Sequence, residues 1–460
     1  GAGRARRPRH RRGEREGGPR LSAVETGLLL FAAMLGLMAL RVPIAMAMFI
    51  PGAVGYALLA SPAVLLNHLK GAAWARLSVY DLSVIPLFLL MGQFATQGGL
   101  SRALFRFTNT LVGHRRAGMA MAAVLACAAF GTICGSSVAT AATVTQVALP
   151  EMRRHHYSGR LATATLAAGG TLGILVPPSV VLVVYAILTE QNIAKLFAAA
   201  FVPGALAATG YITAIAVYVR LVPGQAPELP RAAGRERRAA AYDVWPVAAI
   251  FLVVFGGIYG GLFTPTEGAG VGAAGTFFTA AAKRELGLAA LQRAFLGTAE
   301  TTAMVFMIFL GADMLNSALA LSQMPAQLAQ AVAELSLPPL AVVAGILAFY
   351  VILCSVMDEL SMIILTVPIL IPVVMDLSLY GLTATEKAIW FGILVLSVVE
   401  IGLIAPPVGL NVYVVNSLAR DVPMTETYRG VLPFLASDAV RVALLLAFPA
   451  LSLWAVRLIS

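Results

Sequence analysis

Apolar residues run in long blocks along this chain, each closed by a short polar, Gly/Pro or basic stretch: 22–40, 43–60, 84–100, 118–150, 160–187, 196–219, 244–262, 267–282, 296–322, 338–376, 389–417 and 431–456. A helix needs about 17–25 apolar residues to cross ~30 Å of hydrocarbon, so most of these blocks read as membrane-spanning helices. Two do not fit. Block 118–150 carries GTICGSS near its middle, and block 338–376 carries CSVMDEL, with VPILIP after it. Each is too long and too broken for one span, and the pattern predicts a re-entrant hairpin whose two half-helices meet at a non-helical tip. Unpaired backbone at membrane depth is tolerated only where protein buries it or it lines a cavity.

Loop charge orients this layout. Seventeen Lys and Arg fall in loops 101–117, 151–160, 220–243, 283–293 and 418–430, against four in 61–83, 188–195, 323–337 and 377–388. The first set is expected to be cytoplasmic, which places both termini outside, where the Arg-rich residues 1–21 break the rule. That segment, Gly/Pro-broken and basic, is expected to be a disordered tail. The following block is long, has no evident cleavage site and runs into a second span, against a signal peptide.

The pattern also repeats. Pro43 and Pro265 each open an apolar span 222 residues apart, Pro150 and Pro372 are again 222 apart, and GILVPP (173–178) matches GLIAPP (402–407) at 229. Each half holds about five full spans and one hairpin. Five is odd, so the second copy enters the membrane inverted. The expected fold is an all-α polytopic membrane protein of two inverted repeats, residues 22–220 and 244–460, joined by a cytoplasmic linker at 221–243. Inverted repeats with broken helices at matching positions mark secondary transporters, with substrate and ion sites at the repeat interface.

Composition supports this reading and narrows the chemistry. The chain is 59% hydrophobic and 12% charged, far from a soluble protein. The net charge of +10 sits in short loop runs and gives no case for nucleic acid. Cys127, Cys134 and Cys354 lie in apolar surroundings without a CxxC pair, and read as small core residues. The five histidines all fall outside the apolar blocks, which removes the usual general base from the bilayer; no enzymatic activity and no cofactor are expected. No GxxxxGK[ST] loop occurs, against an ATP-driven pump.

The broken segments carry the candidate chemistry. A helix interrupted in the membrane exposes N–H groups at one end and carbonyls at the other. Carbonyl and hydroxyl oxygens are the hard ligands an alkali cation needs, and the tip Gly135-Ser136-Ser137, followed by Thr140 and Thr143, supplies them. Close helix packing explains the same residues equally well. The paired prolines Pro177-Pro178 and Pro406-Pro407 favour the ion reading: each removes two backbone donors mid-span, and two breaks facing two tips make two ion cages. Asp358 and Glu359 lie at the second tip, where a carboxylate at membrane depth costs about 2.5–3.5 kcal/mol. Asp358 is expected to face a cation and Glu359 to face water or carry a proton; a tip that reaches the interface would solvate both. Glu267 reads as a helix cap, and Glu300, Asp313 and Glu400 as weaker candidates near span ends.

These motifs resemble a known family. IPLFLLMGQFATQGGL, FGTICGSSVATAATVTQVALPEM, GTLGILVPPSVVLVVYAI, GLFTPTEGAGVGA and IGLIAPPVGLNVYVV look like the large membrane subunit of tripartite ATP-independent periplasmic (TRAP) transporters, in family order from about residue 22 to the end. The resemblance implies an elevator-type sodium symporter in a bacterial inner membrane, a separate small four-helix membrane subunit, and a periplasmic binding protein that delivers a carboxylate. It implies one half-site from Gly135, Ser136, Ser137, Gly173, Pro177, Pro178 and Ser179, and another from Asp358, Gly402, Pro406, Pro407, Gly409 and Asn411. Sodium ligands are expected among Ser136, Ser137 and Asp358. The family usually places Thr before the second proline pair; here it is Ala405, so that cage has lost a hydroxyl. A stand-alone ion-coupled carboxylate symporter or antiporter of the same superfamily is the alternative, and a channel the reading from another class.

Overall fold

The computed structural model describes residues 23–335 and 337–459, so the expected basic tail, 1–21, lies outside the described residues. Among the described residues the chain is all helical. The first half forms α1 (Ala23–Ala39), α2 (Ile44–Leu59), α3 (Pro62–Leu77), α4 (Val84–Gln97), α5 (Leu100–Val112), α6 (Gly118–Cys134), α7 (Ser137–Arg154), α8 (Gly159–Leu175), α9 (Val180–Leu188) and α10 (Ile193–Leu221). The second half forms α11 (Gly234–Tyr259), α12 (Pro265–Ala282), α13 (Leu288–Leu321), α14 (Met324–Glu334), α15 (Pro339–Cys354), α16 (Glu359–Asp376), α17 (Ala384–Ile404), α18 (Leu410–Leu418), α19 (Met424–Ala447) and α20 (Ala450–Ile459). Six of these, α10, α11, α13, α16, α17 and α19, are each long and apolar enough to cross a membrane. Two bent pairs, Pro62–Leu77 with Tyr80–Gln97 at 58° and α8 with α9 at 41°, raise the number to as many as eight.

Both blocks read as too long for one helix break where the small and polar residues fall. Block 118–150 becomes α6 and α7 around Gly135-Ser136, with α7 continuing through Pro150 to Arg154. Block 338–376 becomes α15 and α16 around Ser355–Asp358. Helices α7 and α16 are both 18 residues long, and their first residues, Ser137 and Glu359, stand 222 apart, as do their last. Pro43 and Pro265 sit at the starts of α2 and α12.

The centre of the molecule is built on the two helices that carry the proline pairs. Every residue of α8 from Leu161 to Leu175 is buried, and so is nearly all of α17 from Ala388 to Ile404. A helix apolar all round belongs inside. In α8 the small residues also set the approach of its neighbour: a Cβ on Gly170 would come within 2.5 Å of that of Ala141 on α7. Part of the Gly and Thr content therefore serves close packing.

Three helices stand where the hydrophobic pattern predicts loops. α3 has no buried residue and carries Lys70 and Arg76, so no apolar block betrays it; its signal is Ser61 capping Val64 with Pro62 at the first helical position. His68, expected in a loop, lies on it and stacks on Tyr56 at 5.1 Å. α5 buries Leu100, Ser101, Leu104, Phe105 and Thr108, one helical face, while Arg102 and Arg106 remain exposed. α14 fills most of the loop 323–337. The linker is also shorter than 221–243, because α11 starts at Gly234.

Candidate functional site

At the first break α6 ends at Cys134, Gly135 takes φ +64°, and Ser136 caps α7, its hydroxyl accepting from the Ala139 N–H at 3.5 Å. The left-handed backbone favours glycine, and the space is tight: a Cβ on Gly135 would sit 3.2 Å from the Pro178 carbonyl oxygen. The tip thus rests on the Pro177-Pro178 break, where the Val180 N–H donates to the Gly135 carbonyl at 3.4 Å. Ser179 caps α9, accepting from Leu182 at 3.4 Å. Gly173 lies under the tip, since a Cβ there would come within 2.7 Å of the Ser136 carbonyl oxygen and 2.6 Å of Thr140 Oγ1. Thr140 is fully buried, and among the described residues its hydroxyl has no partner beyond the weakly bonding thiol of Cys134.

The second break is built alike with different chemistry. Asp358 stands 222 residues after Ser136 and caps α16, Oδ2 accepting from the Ser361 N–H at 3.0 Å while Oδ1 is buried without a hydrogen-bond partner among the described residues. Gly402 packs on this tip, its would-be Cβ 2.5 Å from that of Cys354. α17 stops at Ile404, Ala405 is buried, and Gly409 at φ +59° opens α18. The carbonyls of Pro407 and Val408 accept from the Tyr428 hydroxyl at 3.2 and 2.5 Å, so part of this break is already saturated. Asn411 is buried; its Nδ2 donates to the Ala167 carbonyl of α8 at 3.2 Å, and its Oδ1 has no hydrogen-bond partner among the described residues.

The two tips touch. Ser137 donates to Glu359 Oε1 at 3.0 Å, which corrects the first of the two alternatives expected for Glu359, that it faces water: it is buried, and its Oε2 and the Ser361 hydroxyl oxygen have no hydrogen-bond partner among the described residues. Leaving a buried polar atom unpaired costs about 1–3 kcal/mol, so this concentration of spare oxygens around two helix breaks is what a hard, oxygen-seeking cation would satisfy. The capping bonds engage one lone pair on Ser136 and one carboxylate oxygen of Asp358, and leave others available. Because Ser137 is the one hydrogen-bonding side chain of Glu359 among the described residues, Ser137→Ala should destabilise the protein while Glu359→Gln, which keeps an acceptor for the serine, should be milder. A double-mutant cycle of Ser137→Ala with Glu359→Ala on thermal stability should give a coupling of about 0.5–3 kcal/mol; additive effects would show that the contact holds nothing together.

Among the weaker candidates, Glu267 completes a capping box with Thr264, Asp313 pairs with Arg76, and Glu300 is exposed. Glu400 lies one turn before the end of α17, near a span end as expected, but it is fully buried, with Oε2 at 2.6 Å from Arg441 Nη2 on α19. The same Nη2 lies 2.9 Å from Asp438 Oδ1, the Tyr211 hydroxyl donates to Asp438 Oδ2 at 2.9 Å, and Thr171 of α8 meets Tyr211 at 3.1 Å. This network ties the two broken helices together one turn before their breaks. Asp438 and Arg441 escaped the sequence reading, although a carboxylate and a guanidinium three residues apart inside an apolar block are their own signal.

The chain matches the family model of the tripartite ATP-independent periplasmic transporter, DctM component, over residues 31–451. It is 37% identical over 375 residues to the C4-dicarboxylate TRAP transporter large permease protein DctM of Pseudomonas aeruginosa, covering 81% of this chain and 86% of that one. The Vibrio cholerae protein of the same name is 29% identical over 447 residues, covering 93% and 96%. A crystal structure of the Alcanivorax borkumensis YdaH transporter superposes with a TM-score of 0.61 at 16% identity over 92% of this chain and 98% of that one, a likeness of fold alone. By the extent of the family match and by these relatives, the chain belongs to the large permease (DctM) family of TRAP transporters.

Proposed function

We propose that this chain is the sodium-coupled transport subunit of a TRAP complex in a bacterial inner membrane, importing a carboxylate such as a C4-dicarboxylate that a periplasmic binding protein delivers, beside a small four-helix membrane subunit. The observation that carries the reading is the meeting of two helix-break tips through Ser137 and Glu359, ringed by buried oxygens without partners. Hydroxyls and carbonyls at broken helix ends do not titrate near neutral pH, and together with the carboxylate oxygens of Asp358 and Glu359 they make the hard oxygen set that sodium takes. The two-fold inverted architecture is supported by the 222-residue spacing of α7 and α16 and by the equal roles of Ser136 and Asp358 as caps. Inverted halves around one site allow alternating access by movement of one unit against another, which is the elevator reading.

Uptake by the reconstituted complex, with its binding protein and small subunit, should require a sodium gradient and ignore ATP. Uptake driven by a proton gradient alone in sodium-free buffer would overturn this. Ser136→Ala should raise the sodium concentration for half-maximal uptake; an unchanged sodium dependence would leave Ser136 a helix cap and nothing more. Uptake by this chain without either partner would favour the stand-alone symporter.

A further inference from the structure

Between α5 and α7 lies a cleft of about 530 Å3 with a mixed polar and apolar wall. α5 contributes Arg102, Arg106 and Asn109, and α7 contributes Thr143, Gln146 and Pro150. The α7 residues recur at helical spacing and form one stripe. That stripe ends at Thr143, seven residues from Ser136, or about 10 Å along the helix axis. The cleft therefore begins about two turns beyond the first tip and runs to the end of α7 that carries Arg153 and Arg154.

The charges of the cleft are unequal. Two guanidinium groups face one carboxylate, Glu151. Arg106 also meets Asp243 of α11 at 3.6 Å, whereas Arg102 has no ion-pair partner among the described residues. Both arginines are exposed, so each attracts an anion weakly, through screened charge. Weak attraction suits a route that an anion must leave by: a buried, desolvated guanidinium would hold it.

We propose that this cleft is the cytoplasmic vestibule through which the carboxylate leaves the first tip, with Arg102 and Arg106 drawing the anion along the Thr143–Gln146 face of α7. The proposal rests on the reading of the chain as a carboxylate importer with loops 101–117 and 151–160 on the cytoplasmic side. The competing role for the same arginines is to hold α5 against anionic lipid phosphates at the membrane surface, in which case the cleft beside them has no charge preference.

The test needs no knowledge of the substrate. Cys127, Cys134 and Cys354 are all buried, so this chain itself contributes a low labelling background and the parent complex is the control, while Gln146 is exposed. Gln146→Cys, with Thr143→Cys as a second position, is placed in the complete complex in inside-out and right-side-out vesicles. It is then reacted with two membrane-impermeant methanethiosulfonates, one a sulfonate and one a trimethylammonium. Labelling is expected from the cytoplasmic face. The sulfonate-to-trimethylammonium rate ratio, normalised to a free thiol in solution, should be raised by about two- to fivefold, as suits exposed, screened charges. It should return towards the free-thiol ratio in an Arg102→Gln/Arg106→Gln background. Labelling only from the periplasmic face, no labelling at either position, a normalised ratio near one, or a ratio indifferent to the two arginines would overturn the vestibule; the last of these is the lipid-anchor outcome. Sodium-independent uptake would sink the transport reading without altering this ratio, so the two failures are distinct.

Discussion

Replacing Arg441 by methionine should cost the folded protein about 3–5 kcal/mol, the loss expected when one partner of a buried ion pair is removed. Glu400 and Asp438 are both fully buried and both reach the same Nη2 of Arg441, at 2.6 and 2.9 Å. Without the guanidinium, two buried carboxylates are left close together, and among the described residues Asp438 retains the Tyr211 hydroxyl as its side-chain partner. The thermal transition of the purified complex should fall sharply and expression with it. The informative comparison is the triple variant Glu400→Gln/Asp438→Asn/Arg441→Met. Neutralising the whole set removes the desolvation penalty along with the attraction, and such replacements are often neutral or stabilising. The triple variant should therefore recover most of the stability lost by Arg441→Met. If Arg441→Met melts with the parent protein, the network is not what joins α17 and α19. If the triple variant is no better than the single one, the guanidinium contributes by packing its stem and not by charge.

This network also shows where the sequence could be read and where it could not. The proline pairs and the GSS and MDEL tips announce helix breaks through local chemistry, because missing N–H groups and left-handed glycines act within a few residues. The breaks accordingly fall at 135–136, 176–179, 355–358 and 405–409, within the stretches that the residues indicate. The contact of Ser137 with Glu359 spans 222 residues and that of Glu400 with Arg441 joins two helices; neither has a local signature, so Glu359 reads as water-facing or proton-carrying and Glu400 as a weaker candidate near a span end. The amphipathic helices fail for another reason. α5 shows its apolar residues at helical period, yet its four basic neighbours in 101–117 read as loop charge, and the same arginines serve both descriptions. Capping is the third source of difference. Ser136, Ser179 and Asp358 each hold a backbone N–H of the following helix, a role that any N-terminal Ser or Asp can take and that a search for cation ligands passes over.

Capping decides how the second half-site should be probed. Asp358→Ala would remove a helix cap, at about 0.5–2 kcal/mol, together with the charge, and its effect could not be assigned. Asparagine caps as well as aspartate, so Asp358→Asn keeps the bond to the Ser361 N–H and removes only the negative charge. If the unpartnered Oδ1 of Asp358 faces the second sodium ion, Asp358→Asn should abolish sodium coupling while expression and melting stay near those of the parent. The loss should be severe because this half-site has little in reserve: Ala405 supplies no hydroxyl, and the Pro407 and Val408 carbonyls already accept from Tyr428. Ala405→Thr should act in the opposite sense. It restores an oxygen at the end of α17 and should lower the sodium concentration for half-maximal uptake, provided the buried position takes the added methyl and hydroxyl without strain. If the two residues act on one ion, their effects on sodium affinity should be non-additive by roughly 0.5–3 kcal/mol. A double-mutant cycle with sodium titrations of uptake measures that coupling directly. Normal coupling in Asp358→Asn would reduce Asp358 to a helix cap, and strictly additive effects would place the residue and the missing hydroxyl at different sites.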